Sequence, residues 1–188
     1  MRIISGNFKG KKILLPKNKL TRPLKDLTKE SIFNIIKHSK LLDINLENSN
    51  ILDLFSGVGS FGLECLSRGA ASVTFLESYK EVLTVLKKNI DNLQQQNYSR
   101  IIERDIFKED TLKILDHKFE VIFIDPPYKE KKLADLLGTI IKLKLLKDNG
   151  VIIIHRHKKE EDILPNKFNL IIKKNYGISQ VIFGNALT

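Results

Sequence analysis

The stretch ILDLFSGVGSFG, residues 51–62, decides the fold of this chain. Its apolar start, 51–55, predicts a buried strand, its glycines predict a tight turn, and the residues from 61 to 68 predict a helix. Glycine in such a turn lets the backbone approach a ligand closely. A strand, a glycine-rich turn and a helix in this order indicate the first unit of a parallel sheet with a ligand crevice at its edge.

The rest of the chain continues this alternation. A first helix carries Ile32 and Phe33 and takes Thr28 as its cap. Further helices are predicted over 80–93 and 133–146, and further strands over 72–76, 100–103, 119–124, 151–155, 170–173 and 180–183. The pattern predicts an α/β, Rossmann-like fold: a mostly parallel seven-stranded sheet with helices on both faces and an antiparallel C-terminal strand.

Composition restricts the class of protein. The 188 residues fit one ordinary domain, and 42% hydrophobic residues support a packed core. The single cysteine, Cys65, excludes an intramolecular disulfide and predicts a reduced, buried thiol. We find neither a signal-peptide pattern nor an apolar run of about 20 residues, the length of a membrane span. We therefore expect a cytoplasmic protein that does not contact a membrane.

Positive charge is concentrated at the N-terminus. Residues 1–29 hold nine basic residues and one acidic residue of a chain whose net charge is +10. We expect 1–29 to form a small basic β-hairpin arm and 30–188 to form the catalytic domain. Such an arm is typical of a polyanion-binding protein, although lysines that only solvate the surface remain an alternative. The candidate RNA-binding residues are Arg2, Lys9, Lys11, Lys12, Arg22 and Lys25.

The tetrapeptide Asp125-Pro126-Pro127-Tyr128 follows the predicted strand 119–124 directly. The Asp125 carboxylate and the Pro126 carbonyl can each accept one hydrogen of a planar amine, and Tyr128 can stack on its ring. Two prolines hold these acceptors rigidly, which favours a developing positive charge on the amine nitrogen. A stiff turn without chemistry is the alternative reading of this sequence. The four residues are the candidate catalytic residues.

A cofactor site is predicted at the same edge. The glycine turn and Glu77, about 20 residues further on, fit either a dinucleotide or S-adenosylmethionine. Asp53 can orient an ammonium group, and Asp105 can accept a hydrogen bond from adenine. Together with Asp125 they favour S-adenosylmethionine. The candidate cofactor-binding residues are Asp53, Phe55, Ser56, Gly57, Gly59, Gly62, Glu77, Ser78, Asp105 and Ile106.

Three further positions allow two interpretations each. His155 and His157 alternate at the end of a strand and can face one metal ion, but a solvated strand end without metal is the favoured interpretation. Glu64 either contacts the glycine turn or is an ordinary polar helix position. Tyr176 either lines the substrate entrance or packs under the terminal hairpin, and packing is favoured.

Several motifs together carry a family resemblance. They are RIISG at 2–6, KGKK at 9–12, RP at 22–23, ESIFN at 30–34, DLFSGVGSFGLE at 53–64, SRGA at 67–70, DPPY at 125–128 and YG at 176–177. With these motifs the chain resembles the bacterial 16S rRNA guanine-N2 methyltransferases, a class I S-adenosylmethionine-dependent family. One departure is Leu27, where the family usually has a basic residue.

The resemblance implies a reaction and its partners. S-adenosylmethionine would lie over the glycine turn, with Glu77 at its ribose, Asp105 at its adenine and its methyl group directed to Asp125. The substrate would be a guanine of 16S rRNA, guanine 966 by analogy, presented as naked RNA or in a small-subunit particle and stacked on Tyr128. The enzyme would be a monomer without a metal. A DNA adenine-N6 methyltransferase and a non-enzymatic RNA-binding assembly factor remain alternatives.

Overall fold

A computed structural model describes residues 1–16, 24–108 and 110–187. The α-helices of this part are α1 (Asp26–His38), α2 (Ser60–Ser67), α3 (Lys80–Asn92) and α4 (Leu133–Lys142). The strands are β1 (Asn50–Leu54), β2 (Ser72–Leu76), β3 (Ser99–Ile102), β4 (Phe119–Ile124), β5 (Leu146–His157), β6 (Phe168–Tyr176) and β7 (Ser179–Ala186). Short 3-10 turns lie at Gln96–Tyr98 and Leu112–Ile114.

The seven strands form one sheet in the order β3-β2-β1-β4-β5-β7-β6. The first five are parallel, whereas β7 runs antiparallel between β5 and β6. One face packs against α1, α2 and α3, and the other packs against α4. Alternation along β1 explains this, because Ile51 faces the first side while Leu52 and Leu54 face the second. The predicted fold class is confirmed.

Several element boundaries differ from the prediction, and two of the differences concern how a helix begins or ends. Thr28 does not cap α1, because the helix begins two residues earlier and has Lys25 at its N-cap without a side-chain bond. The helix predicted over 133–146 ends at Lys142, since Lys144 has a φ of 51° and turns the chain out of the helix. Leu146 then already pairs with Phe119 as the start of β5.

The N-terminal arm is a hairpin laid along the body. Arg2 and Lys12 form an antiparallel bridge, and the Ile3 N–H donates to the carbonyl of Lys11. Ile3 and Ile13 are buried in the same core cluster as α1 and α2. The predicted boundary between the arm and the catalytic domain, after residue 29, lies inside α1. The backbone is therefore helical across this boundary.

Within the described ranges, none of the helices combines the length and the apolar character that crossing a membrane requires.

Candidate functional site

The carboxyl ends of β3, β2, β1 and β4 lie side by side and bring the predicted site residues to one edge of the sheet. Chain order runs outward from β1 through β2 and β3 on one side, and through β4 and β5 on the other. Ligands of open α/β sheets bind at such a reversal of strand order. The predicted cofactor-binding and catalytic residues lie at the ends of these four strands or in the turns that follow them, beside this crevice.

The glycine turn between β1 and α2 is tightly constrained. Phe55 and Gly59 have backbone φ values of 57° and 82°. Both values lie in the left-handed region, which residues other than glycine rarely adopt. A Cβ at Gly59 would lie 2.5 Å from a methyl of Leu86. Gly62 lies one turn inside α2, where a Cβ would lie 2.4 Å from the Phe75 ring, so this glycine lets the helix pack on the sheet.

Glu77, directly after β2, holds the turn from the side. Its Oε2 accepts the N–H of Gly57 at 2.9 Å, while its Oε1 accepts those of Ser78 and Tyr79 at 2.8 and 2.9 Å. Three backbone donors therefore fix the orientation of this carboxylate at the rim of the crevice.

Asp53 lies beneath the turn at the end of β1. It is almost fully buried, and its Oδ2 accepts the N–H of Gly62 at 3.0 Å. Burial raises the pKa of Asp53 well above its usual range, the Gly62 bond opposes this, and the carboxylates of Asp125 and Glu77 raise the pKa further. Three acidic groups therefore share one small region.

The end of β3 adds a partly apolar wall. Ile106 is buried, and Phe107 packs against Phe55 with ring centroids 5.8 Å apart. Asp105 is exposed, and its Oδ1 accepts the N–H of Phe107 at 3.0 Å. This places an apolar surface of the kind that an adenine ring needs beside an exposed carboxylate.

The tetrapeptide of candidate catalytic residues, 125–128, continues from β4. The Asp125 carboxylate is 21% exposed, and its Oδ1 lies 2.8 Å from Nδ1 of His155. Pro126 is buried and Tyr128 is half-buried, with its ring edge-on to His157 at 5.1 Å. Among the described residues, no hydrogen-bond donor reaches Oδ2 of Asp125 or the carbonyl of Pro126. Two acceptors for an amine are therefore available together.

The arm packs against the end of α2 and also reaches the glycine turn beside the crevice. Arg2, Lys9, Lys11, Lys12 and Lys25 are exposed, and Arg22 lies outside the described residues. The hairpin turn contacts the C-terminal end of α2, because Ser67 Oγ accepts the N–H of Phe8 and donates to the carbonyl of Ser5. The chain after Ile13 returns to the glycine turn through Asn89, whose amide bonds both Leu14 and the carbonyl of Val58.

Two buried charged groups escaped the sequence analysis. Glu64 is not an ordinary polar helix position: it is fully buried and accepts the N–H groups of Ile4 and Ser5. It also contacts Lys29 at 3.4 Å and Arg68 at 2.9 Å. The DLFSGVGSFGLE motif ends at Glu64 and the SRGA motif contains Arg68, but polar residues on a helix give no signal of burial.

The second group is the end of β5, where a solvated strand end was favoured. That prediction is wrong, because Arg156 is fully buried and His155 is nearly so. Tyr176 packs beside the core, as favoured, and Cys65 is buried and reduced as predicted, with a pKa that burial raises well above its usual range.

The fold and this site define a Rossmann-like methyltransferase of class I. The chain belongs to the family described as Conserved hypothetical protein 95, whose model matches residues 1–185. The predicted resemblance to the bacterial small-subunit rRNA methyltransferases is thereby confirmed.

Curated relatives carry the name ribosomal RNA small subunit methyltransferase D. The protein of Buchnera aphidicola is 35% identical over 92% of this chain and 86% of its own length. The protein of Haemophilus influenzae is 31% identical over 95% and 90%. A solved structure of a candidate methylase from Haemophilus influenzae superimposes with a TM-score of 0.77 at 32% identity, covering 100% of this chain and 99% of its own.

Proposed function

We propose that this protein transfers a methyl group from S-adenosylmethionine to the exocyclic N2 amine of a guanine in 16S rRNA. One observation carries the proposal: Asp125 Oδ2 and the Pro126 carbonyl lie beside the glycine turn of a methyltransferase fold, and no donor among the described residues bonds either of them. A guanine amine has two hydrogens to donate and matches this pair. The names of the relatives support an rRNA substrate.

The crevice fits the proposed cofactor. S-adenosylmethionine carries two positive groups, an ammonium and a sulfonium, and the strand ends offer the carboxylates of Asp53, Glu77 and Asp125. The buried Oγ of Ser60, at the first residue of α2, has no hydrogen-bond partner within the described ranges and can bond a polar group of a ligand there. When bound, the cofactor supplies an electrophilic methyl group.

We assign the cofactor contacts by position. Phe55, Ser56, Gly57 and Gly59 line the turn over which the methionine part would lie, while Asp53 and Gly62 support that turn from below. Glu77 and Ser78 would hold the ribose, and Asp105 and Ile106 the adenine. Glu77 is partly exposed and Asp105 is exposed, and carboxylate oxygens there can accept hydrogen bonds from the hydroxyl and amino donors of an adenosine.

The residues of the chain then act by positioning. Asp125 and Pro126 accept the two amine hydrogens and aim the nitrogen lone pair across the crevice, and Tyr128 stacks on the base. As the N–C bond forms and the S–C bond breaks, the amine becomes positively charged, and the Asp125 carboxylate stabilises that charge. The proton then leaves the nitrogen through the partly exposed Asp125 to solvent. A base inside a stacked helix cannot reach this geometry, so the guanine would be turned out of its RNA context.

The test measures methyl transfer to 16S rRNA and to small-subunit particles, with DNA oligonucleotides for comparison, followed by mass analysis of the modified nucleoside. We expect N2-methylguanosine, and we expect Asp125→Ala to lower kcat by about 100-fold or more. Asp43→Ala, which removes an exposed carboxylate from the loop before β1, is the matched control.

Three results would contradict the proposal. N6-methyladenosine in the DNA would establish the DNA methyltransferase instead. Binding of RNA without any binding of S-adenosylmethionine in calorimetry would establish a non-enzymatic factor. Full activity of the Asp125→Ala variant would remove the amine-binding role of this carboxylate.

A further inference from the structure

We propose that three consecutive residues at the end of β5, His155, Arg156 and His157, are positioning residues for the amine-binding loop, defined as residues 125–130. Each contacts a different part of that loop. The inference rests on the proposed function, because it assigns these residues to the placement of the amine acceptors.

His155 orients the catalytic carboxylate. Its Nδ1 lies 2.8 Å from Oδ1 of Asp125, and the histidine side chain is only 9% exposed. A carboxylate oxygen accepts here, so Nδ1 is the donor. With one oxygen held and the Asp125 N–H directed at the carbonyl of Leu54, the other oxygen has a fixed direction.

Arg156 holds the backbone of the same loop. Its side chain is fully buried, with Nη1 donating to the carbonyls of Pro127 and Tyr128 at 3.1 and 3.4 Å and Nη2 donating to that of Glu130 at 2.9 Å. Two prolines remove two N–H donors from this loop, so it cannot be held by an ordinary backbone ladder. The planar guanidinium supplies the missing constraint and does not bond the Pro126 carbonyl, which stays available for the substrate.

Asp162 makes the burial of Arg156 possible. Its two oxygens accept from Nε and Nη2 of the arginine, both at 2.8 Å. A paired, bidentate guanidinium is the form in which an arginine is stable inside a protein. Asp162 therefore belongs to the support of the loop, although it does not contact it.

His157 supports the stacking residue. Its ring meets the Tyr128 ring edge-on at a centroid distance of 5.1 Å. Its Nδ1 accepts the N–H of Lys159 at 3.2 Å, which fixes the plane of the imidazole. The aromatic surface proposed for the guanine is thus held in one orientation.

Strand geometry explains how one tripeptide reaches all these groups. Side chains alternate across β5, so His155 and His157 lie on the face of Ile153, and Arg156 lies on the face of Ile152 and Ile154. The loop after β4 crosses the end of its parallel neighbour β5 and meets side chains from both faces. A metal site is not needed to explain the alternate histidines.

The experiment compares His155→Leu with His155→Asn, since the asparagine amide can donate from nearly the place of Nδ1. Single-turnover methylation of 16S rRNA and calorimetry with S-adenosylmethionine are measured on the full chain. We expect His155→Leu to lower the methylation rate by about 100-fold and His155→Asn to restore it to within about fivefold of wild type, with the cofactor Kd unchanged within about twofold. We expect Arg156→Lys, which keeps the charge but loses the fork, to lower the rate by about tenfold.

Leu136→Ala, a buried change on α4 at the opposite face, controls for lost stability. We expect it to lower Tm without lowering the methylation rate at a temperature where the protein is folded. An unchanged rate in His155→Leu would overturn the inference, as would an asparagine variant no better than leucine. A cofactor Kd that weakens in step with the rate would show a purely structural role. If wild-type protein transfers no methyl group, the proposed function itself fails.

Discussion

Two groups of charged side chains contact α2 or the turn before it, and they differ in one respect. The arm-anchoring cluster, Glu64 with Lys29 and Arg68, contains two cations around one carboxylate. The strand-end acidic cluster, Asp53 with Glu77 and Asp125, contains three carboxylates, and within the described part of the chain His155 is the basic side chain paired with it. In the arm-anchoring cluster the carboxylate is paired with cations of the chain itself. In the strand-end acidic cluster the carboxylates are in excess, and under the proposed function a positively charged ligand would pair with them.

The difference shows how one fold separates stability from chemistry. In the arm-anchoring cluster, burial lowers the pKa of Lys29, and the nearby carboxylates of Glu64 and Asp26 oppose this shift in part. In the strand-end acidic cluster, burial and the like charges of Asp125 and Glu77 raise the pKa of Asp53, and the bond from the Gly62 N–H opposes this only in part. Strain of this kind is typical of a binding site and uncommon in a structural core.

The largest expected effect on stability comes from removing the carboxylate of the arm-anchoring cluster. Glu64→Gln leaves Lys29 buried without its charge partner, and we expect the free energy of unfolding to fall by about 3–5 kcal/mol in denaturant titration. Glu103→Gln removes a carboxylate whose ion pair with Lys87 is about half exposed, and we expect a loss of only about 0.2–1 kcal/mol. Equal losses in the two variants would contradict the importance of burial at Glu64.

A smaller effect is expected where the arm meets the glycine turn. Asn89→Leu removes the amide that bonds Leu14 and Val58, and we expect a loss of about 1–3 kcal/mol together with weaker binding of S-adenosylmethionine. Asn92→Leu, an exposed position on the same helix, is expected to change stability by less than about 0.5 kcal/mol. Unchanged binding of S-adenosylmethionine in Asn89→Leu would contradict the idea that the arm supports the glycine turn.

Asp53→Asn tests the strand-end acidic cluster through the pH dependence of protein stability, which we do not expect the arm-anchoring cluster to share. Because the folded pKa of Asp53 is raised, its contribution to stability is present below its unfolded pKa and is lost as pH rises through the folded pKa. We therefore expect the asparagine variant to gain stability relative to wild type as pH rises, by about 1 kcal/mol, and to bind S-adenosylmethionine about tenfold more weakly. If the free energies of unfolding of wild type and Asp53→Asn change equally with pH, the raised pKa of Asp53 is contradicted.

The smallest effect on stability is expected from the exposed arm. If the arm contacts RNA, replacing Lys9 and Lys11 together by glutamine should lower the slope of log affinity against log salt by about 1.4–1.8. Stability should change by less than about 0.5 kcal/mol. The same double change at Lys88 and Lys142, on α3 and α4, provides the control, and an equal slope change there would indicate non-specific charge alone.

The sequence predicted those parts of the molecule in which local pattern and position agree. The apolar runs 72–76 and 119–124 became β2 and β4 with the same bounds, because buried parallel strands need continuous apolar residues. It failed at the end of α4, where a left-handed Lys144 stops the helix without a glycine or proline to mark it. The predicted cofactor-binding and catalytic residues lie at one edge because they stand at or after the ends of strands that proved to be parallel neighbours.

Sequence by itself determined the alternation of strands and helices, the glycine turn and the acceptor tetrapeptide, because each depends on residues close together in the chain. Only the tertiary structure decided which charges are buried. Glu64 meets backbone donors 59 and 60 residues away, and His155 meets Asp125 at a separation of 30 residues. The environment of a charged side chain is set by whichever segments the fold brings around it, and residue type and local pattern do not contain that information.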